Sequence, residues 1–173
     1  MADISCRLVR GSTQSIGSGS WTSVQFPDAD IYDTDTMHDP ATNNTRITIQ
    51  TAGRYWVQGI LDAFRSGNVT SASARILLNG TEELFHSSPC YKGVDSTIWN
   101  VSGDTRTLEV GDYLELQVFQ DSGVSWSLQT SAVAPAFMAR RMSKLTSDVG
   151  CRAKNTSDQS LTANTITAVS IRS

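Results

Sequence analysis

From Tyr113 to Phe119 every second side chain is apolar: Leu114, Leu116 and Val118 fall on one side of an extended backbone, Glu115 and Gln117 on the other. A period of two belongs to a strand with one wet and one dry face, and a helix cannot use it. Thr45–Gln50 alternates in the same way, with Ile47 and Ile49 among polar neighbours. Tyr55–Phe64 is long, aromatic and β-branched, and it stops at Ser66-Gly67-Asn68. Ala74–Leu78 runs into Asn79-Gly80, a strong hairpin signal, and Glu83–His86 resumes beyond it. Asp121-Ser122-Gly123 turns into Val124–Leu128, and a last strand is expected over Ala136–Met142. No stretch sustains apolar spacing at i, i+3, i+4 and i+7, so a helical bundle is excluded and a sandwich or barrel remains.

Self-similarity adds a second constraint. Asp3-Ile4-Ser5-Cys6-Arg7 aligns without gaps to Asp148-Val149-Gly150-Cys151-Arg152, a shift that carries Cys6 to Cys151. In the same register Ser12 meets Ser157, Gln14 meets Gln159, Ser15 meets Ser160, Thr22 meets Thr167 and Val24 meets Val169. Apolar positions correspond too: Ile16 with Leu161, Trp21 with Ile166, Phe26 with Ile171. The expectation is one domain over residues 1–147 and, over 148–173, the opening strands of a second copy. So short a piece cannot bury its own apolar residues. It is expected either to begin a further domain, truncated here, or to be exchanged with a neighbouring chain.

Composition narrows the function. Hydrophobic residues make up 39% of the 173 residues, enough for a core, while charged residues are only 18%, with Ser and Thr filling much of the difference. A net charge of −3 gives no reason to expect a nucleic-acid or anionic-membrane partner. No apolar run approaches the roughly 20 residues of a membrane-spanning helix. Asp3 and Arg7 interrupt anything resembling a secretory apolar region, so assembly in the cytosol, or a mature chain, is expected. Cys6, Cys90 and Cys151 lack CxxC spacing and are read as buried thiols. The five N-x-S/T sequons, starting at Asn43, Asn68, Asn79, Asn100 and Asn155, are read as a product of the Ser/Thr-rich composition.

Little in the chain resembles an active site. The only histidines are His38, in a loop-like Met37-His38-Asp39-Pro40, and His86, near the end of a short strand. Neither has a recognisable nucleophile in sequence, and no G-x-S-x-G, HExxH or phosphate loop is present, so the chain is read as non-enzymatic and without a cofactor. Asp28, Asp30 and Asp33 lie in an acidic stretch that could supply oxygens to Ca²⁺. The EF-hand pattern fails because Tyr32 occupies the third ligand position, and a solvated loop without metal is the expectation.

The order of these pieces resembles the C1q and tumour-necrosis-factor-like (TNF-like) jelly-roll superfamily. Phe26 precedes a polar stretch with Tyr32-Asp33, and Thr51-Ala52-Gly53-Arg54-Tyr55-Trp56 is similar to that family's G-x-Y strand entry. Ile76-Leu77-Leu78-Asn79-Gly80 is similar to its x-N-G turn, and Leu108-Glu109-Val110-Gly111-Asp112-Tyr113-Leu114-Glu115-Leu116 to its G-D segment. Ala136-Phe137-Met138-Ala139-Arg140-Arg141-Met142 is similar to its closing strand, so the resemblance spans about residues 20–143. It implies an all-β jelly-roll sandwich that assembles as a homotrimer. Tyr55, Tyr113 and Phe119, read as lying opposite the core residues, are the expected trimer-interface side chains. No collagen-like stalk precedes the domain, which argues against the secreted vertebrate members of the superfamily. The resemblance then suggests a bacteriophage virion surface protein: a capsid-decorating or head-fibre module, assembled in the host cytoplasm, whose partners are its own copies and other capsid or tail proteins. A tail fibre gripping host surface glycans is the rival reading, and a secreted C1q/TNF-like ligand the third.

Overall fold

The apolar halves of the alternating segments meet across two antiparallel sheets. The computed structural model describes residues 3–64, 71–88, 96–130 and 135–142. Among them the strands are β1 (Ser5–Val9), β2 (Gln14–Ile16), β3 (Thr22–Ser23), β4 (Tyr32–Asp33), β5 (Arg46–Thr48) and β6 (Gly53–Phe64). They continue as β7 (Ala72–Leu78), β8 (Glu82–Ser87), β9 (Ser96–Leu108), β10 (Tyr113–Gln120), β11 (Trp126–Leu128) and β12 (Ala136–Arg141). One sheet runs β2-β11-β6-β12-β1-β4, with β9 along the other side of β6; the second runs β3-β10-β7-β8, with β5 also on β10. Chain neighbours mostly belong to opposite sheets, which is how a jelly roll closes its sandwich. The Asp121-Ser122-Gly123 turn is such a crossing, because β10 lies in the second sheet and β11 in the first.

Every apolar residue on the inward side of β10, Leu114, Leu116 and Val118, is fully buried. Facing them from the first sheet are Cys6, Leu8, Val57, Leu61, Phe137 and Ala139, with Phe26 stacked on Phe137 at 6.1 Å between ring centres. Gly59 faces inward among them, and a Cβ there would press on the Leu116 side chain.

Tyr55 corrects one expectation. Its side chain is wholly buried in this core, in phase with Val57 and Leu61, and not on the outward face. The polar Arg54, Gln58 and Asp62 all lie on the other side of the strand, with Trp56 and Ile60, and the Tyr55 hydroxyl is satisfied inside by donating to the Thr51 carbonyl at 2.6 Å.

The two motifs at one end of the sandwich are clipped together. The Asn79-Gly80 hairpin joins β7 to β8 with Thr81 as a third loop residue, and both Asn79 and Gly80 have positive φ. The Asn79 amide donates to Asp112 Oδ1 at 2.8 Å and accepts from the Tyr113 N–H at 3.0 Å. Asp112 Oδ2 accepts from the Glu109 N–H at 2.8 Å, closing the turn in which Gly111 takes a φ of 90°. These bonds hold the Asp112 carboxyl below the usual carboxylate range, the Asn79 amide contributing most.

The chain divides after Ser143, and the described residues all belong to the first unit, Met1–Ser143. The expected second copy at 148–173, with Cys151, lies outside the described residues, as does Cys90.

Candidate interaction surface

Alternation leaves each sheet an outward face, and the two differ. On the second sheet the structure brings Tyr113 and Phe119 to the same outer side of β10, both half-buried. Each ring is covered from within the chain. The Arg46 guanidinium lies over Tyr113, 4.0 Å from the ring centre, and reaches Glu115 at 3.3 Å. Trp21 packs on Phe119 at 5.5 Å and is itself capped by Arg75 at 4.0 Å. Arg75 is held by two bonds to Gln117 Oε1, at 3.0 and 2.8 Å, and faces Glu83 at 3.4 Å. The guanidinium stacking over Tyr113 and Trp21 covers these rings from within the chain, and both cations are anchored by acidic or amide partners. Trp21 was not among the expected residues. Its pairing with Phe119 depends on the short β3 lying beside β10, which no local pattern announces.

The first sheet offers a different outer face. β1, β12 and β6 pair so that Val9, Ala136 and Ile60 form one row, Arg7, Met138 and Gln58 the next, and Ser5, Arg140 and Trp56 a third. Val9, Met138, Ile60 and Trp56 are apolar and only half-buried. Beside them, at the β4 edge, a shallow cavity of about 330 Å³ is lined by Asp3, Ser5, Tyr32, Thr34 and Arg140. Tyr32 is 41% exposed there.

The titratable groups are committed to holding loops. Asp28 accepts from the Gly11 N–H at 2.7 Å; Asp30 bonds His38 Nδ1 at 2.7 Å; Asp33 accepts from the N–H groups of Asp35 and His38 at 3.2 and 2.9 Å. The three carboxylates weighed as oxygen donors for Ca²⁺ each hold a loop, Asp28 through Gly11 and both Asp30 and Asp33 through His38. Among the described residues no group of three or more His, Cys, Asp or Glu is placed to hold a metal. Burial, and then Asp33 and Asp30, push the Cys6 thiol far above its ordinary range, so it is a thiol that resists ionisation.

His86 departs from the sequence reading, in which neither histidine had a nucleophile. Its Nδ1 meets Glu83 at 3.0 Å and its Nε2 meets the Ser88 hydroxyl at 2.7 Å. The connectivity is that of an acid–base–nucleophile chain, but the setting is not. The His86 and Glu83 side chains are 40% and 39% exposed, and Ser88 also bonds the Ser73 hydroxyl at 2.8 Å. In water such a chain lacks the low-dielectric, preorganised surroundings that make a serine reactive.

No protein-family model matches the chain, and no curated protein matches its sequence. Among solved structures it is similar to the crystal structure of murine APRIL at pH 5.0, with a TM-score of 0.58 at 12% identity, over 82% of this chain and 100% of that one. That neighbour is a TNF-family jelly roll, and the fold described here is therefore TNF-like.

Proposed function

We propose that this chain is a non-enzymatic surface module of a bacteriophage particle, a homotrimer that decorates the capsid or forms part of a head fibre. The observation that carries the assembly is the outward face of the first sheet. Val9, Trp56, Ile60 and Met138 lie on that face as neighbouring, half-buried apolar side chains grouped around the small Ala136. Three copies packed through that face would bury them, and repetition by symmetry turns weak contacts with a shell into firm adhesion. The opposite face, with its rings already capped by Arg46 and Arg75, would be left to water. Support for the particle setting is the fold, the Ser/Thr-rich composition and the repeated opening segment.

Light scattering tests the assembly: the expected mass is three times 18.8 kDa, and a stable monomer at micromolar concentration overturns it. Binding to emptied capsids and not to isolated tails is expected. Covalent capture of Ser88 by a fluorophosphonate would overturn the non-enzymatic part.

The cavity beside Tyr32 favours a second reading, a tail protein that grips glycans. An exposed phenol ring flanked by Arg140 and Asp3 suits the apolar face and hydroxyls of a sugar. Binding to host cell-wall glycans that is lost in Tyr32→Ala would select it.

A further inference from the structure

The repeat acquires a physical meaning once its first copy is seen folded. Residues 3–28 contain β1, β2 and β3; Trp21 lies on the outer side of the second sheet, and the fully buried positions of this segment are among those matched by apolar residues. Cys6, Leu8, Ile16, Val24 and Phe26 are all at most 1% exposed. Their counterparts Cys151, Ala153, Leu161, Val169 and Ile171 are apolar without exception. Outward or loop positions between them are free to differ, as Gly11 does from Thr156 and Gly17 from Thr162.

One polar match is equally telling. The Gln14 side chain donates to the Ser23 carbonyl at 2.9 Å and accepts from the Gln25 N–H at 2.9 Å, pinning β2 to the strand that follows. Both partners are backbone groups, so the clasp needs only the glutamine, and the second copy keeps a glutamine, Gln159, at the matching position. The slot itself is equally indifferent to side chains at its rim, because β1 is held by ladder bonds to β12 over Ser5–Val9 and to β4 at Cys6 and Arg7. In strand addition of this kind, main-chain bonds supply affinity and the inward side chains supply selection.

Position completes the case. β12 ends where β1 begins: the Arg141 N–H donates to the Ile4 carbonyl at 2.8 Å, and Ser5 pairs with Arg140. Only residues 142–147 separate the end of β12 from Asp148, the counterpart of Asp3. A connection of that length can return antiparallel beside its own strand.

We propose that residues 148–173 are a second occupant for the slot filled by β1, β2 and β3, able to take it within the same chain when the first occupant leaves. The inference rests on the repeat and is independent of where the molecule acts. The first copy fits better and holds the slot. Leu8 fills space that Ala153 would leave open, and Arg10 donates to the Gln25 and Thr13 carbonyls at 2.6 and 2.9 Å, a span too long for Asn155.

The test places a charge inside one occupant or the other in the full chain, and follows the fold by circular dichroism and each thiol by alkylation and peptide mass spectrometry. Leu161→Asp alone is expected to stay folded with Cys6 protected. Leu8→Asp alone is expected to stay folded at the wild-type mass, with Cys6 alkylated at least tenfold faster than in the wild type. The double variant is expected to unfold. The proposal is overturned if Leu8→Asp unfolds as fully as the double variant, if it stays folded with Cys6 still protected, if the double variant stays folded, or if the mass of Leu8→Asp rises with concentration.

Discussion

Asp112 shows how much one side chain can organise. It closes its own turn through the Glu109 N–H and ties that turn to the neighbouring hairpin through Asn79. Its carboxyl is held below its ordinary value, so its stabilisation is complete above the unfolded value, near pH 4, and fades as pH falls through the depressed one. Asp112→Ala is expected to lose about 1 kcal/mol at pH 7, the worth of an ordinary hydrogen bond at a solvent-accessible site. Urea melts should show that deficit shrinking toward pH 2.5; an undiminished deficit there would mean that the loss is one of turn geometry and not of charge. The turn glycine and the Asn-Gly pair were readable from residue type alone, since positive φ is what they are for. The bond between Asn79 and Asp112 was not, because 33 positions separate them and nothing local marks the contact.

At the scale of strands, alternation located β5, β7, β8 and β10 and the closing β12 close to their true limits. It failed at β9, which has 13 residues and is the longest strand described. The middle of β9 reads Ser102-Gly103-Asp104, a turn by composition. In the fold it is a bulge, where the pairing with β6 slips between Trp56 and Gln58. Gly103 is required there because a Cβ would collide with the Val57 carbonyl oxygen, a backbone atom that cannot step aside. Gly103→Ala is therefore expected to destabilise the domain by at least about 2 kcal/mol, readable in a urea titration. The phase of β6 was legible but was misread. Its polar residues Arg54, Gln58 and Asp62 all fall on one side, which marks that side as the outer one, but Trp56 and Ile60 among them blur the contrast; Tyr55 went to the core while Trp56 and Ile60 took the outside.

For the molecule as a whole, fold and assembly separate cleanly. The jelly roll was legible because five short motifs fall in order along the chain, and its likeness to murine APRIL at 12% identity shows how little sequence that order needs. The surface was far less legible, since it depends on which strands of one sheet lie side by side. Ile60 sits in the row of Val9 and Ala136, between Ala136 and Asn100, and points away from the core. Ile60→Glu is expected to leave the circular dichroism spectrum and thermal midpoint nearly unchanged while reducing the mass in solution from trimer to monomer. A variant that stays trimeric would move the assembly face elsewhere.

The far end of the sandwich has a practical use. The loops at Gly17–Ser20 and Asp121–Ser125 meet there through the Ser18 hydroxyl, which accepts from the Gly123 N–H at 2.9 Å, and Gly17, Gly19 and Gly123 have open space around them. The start of β1 and the end of β12 lie together at the other end, beside Gly53 and Arg54. A foreign epitope grafted after Gly123 would point away from both, which makes this domain a natural scaffold for peptide display.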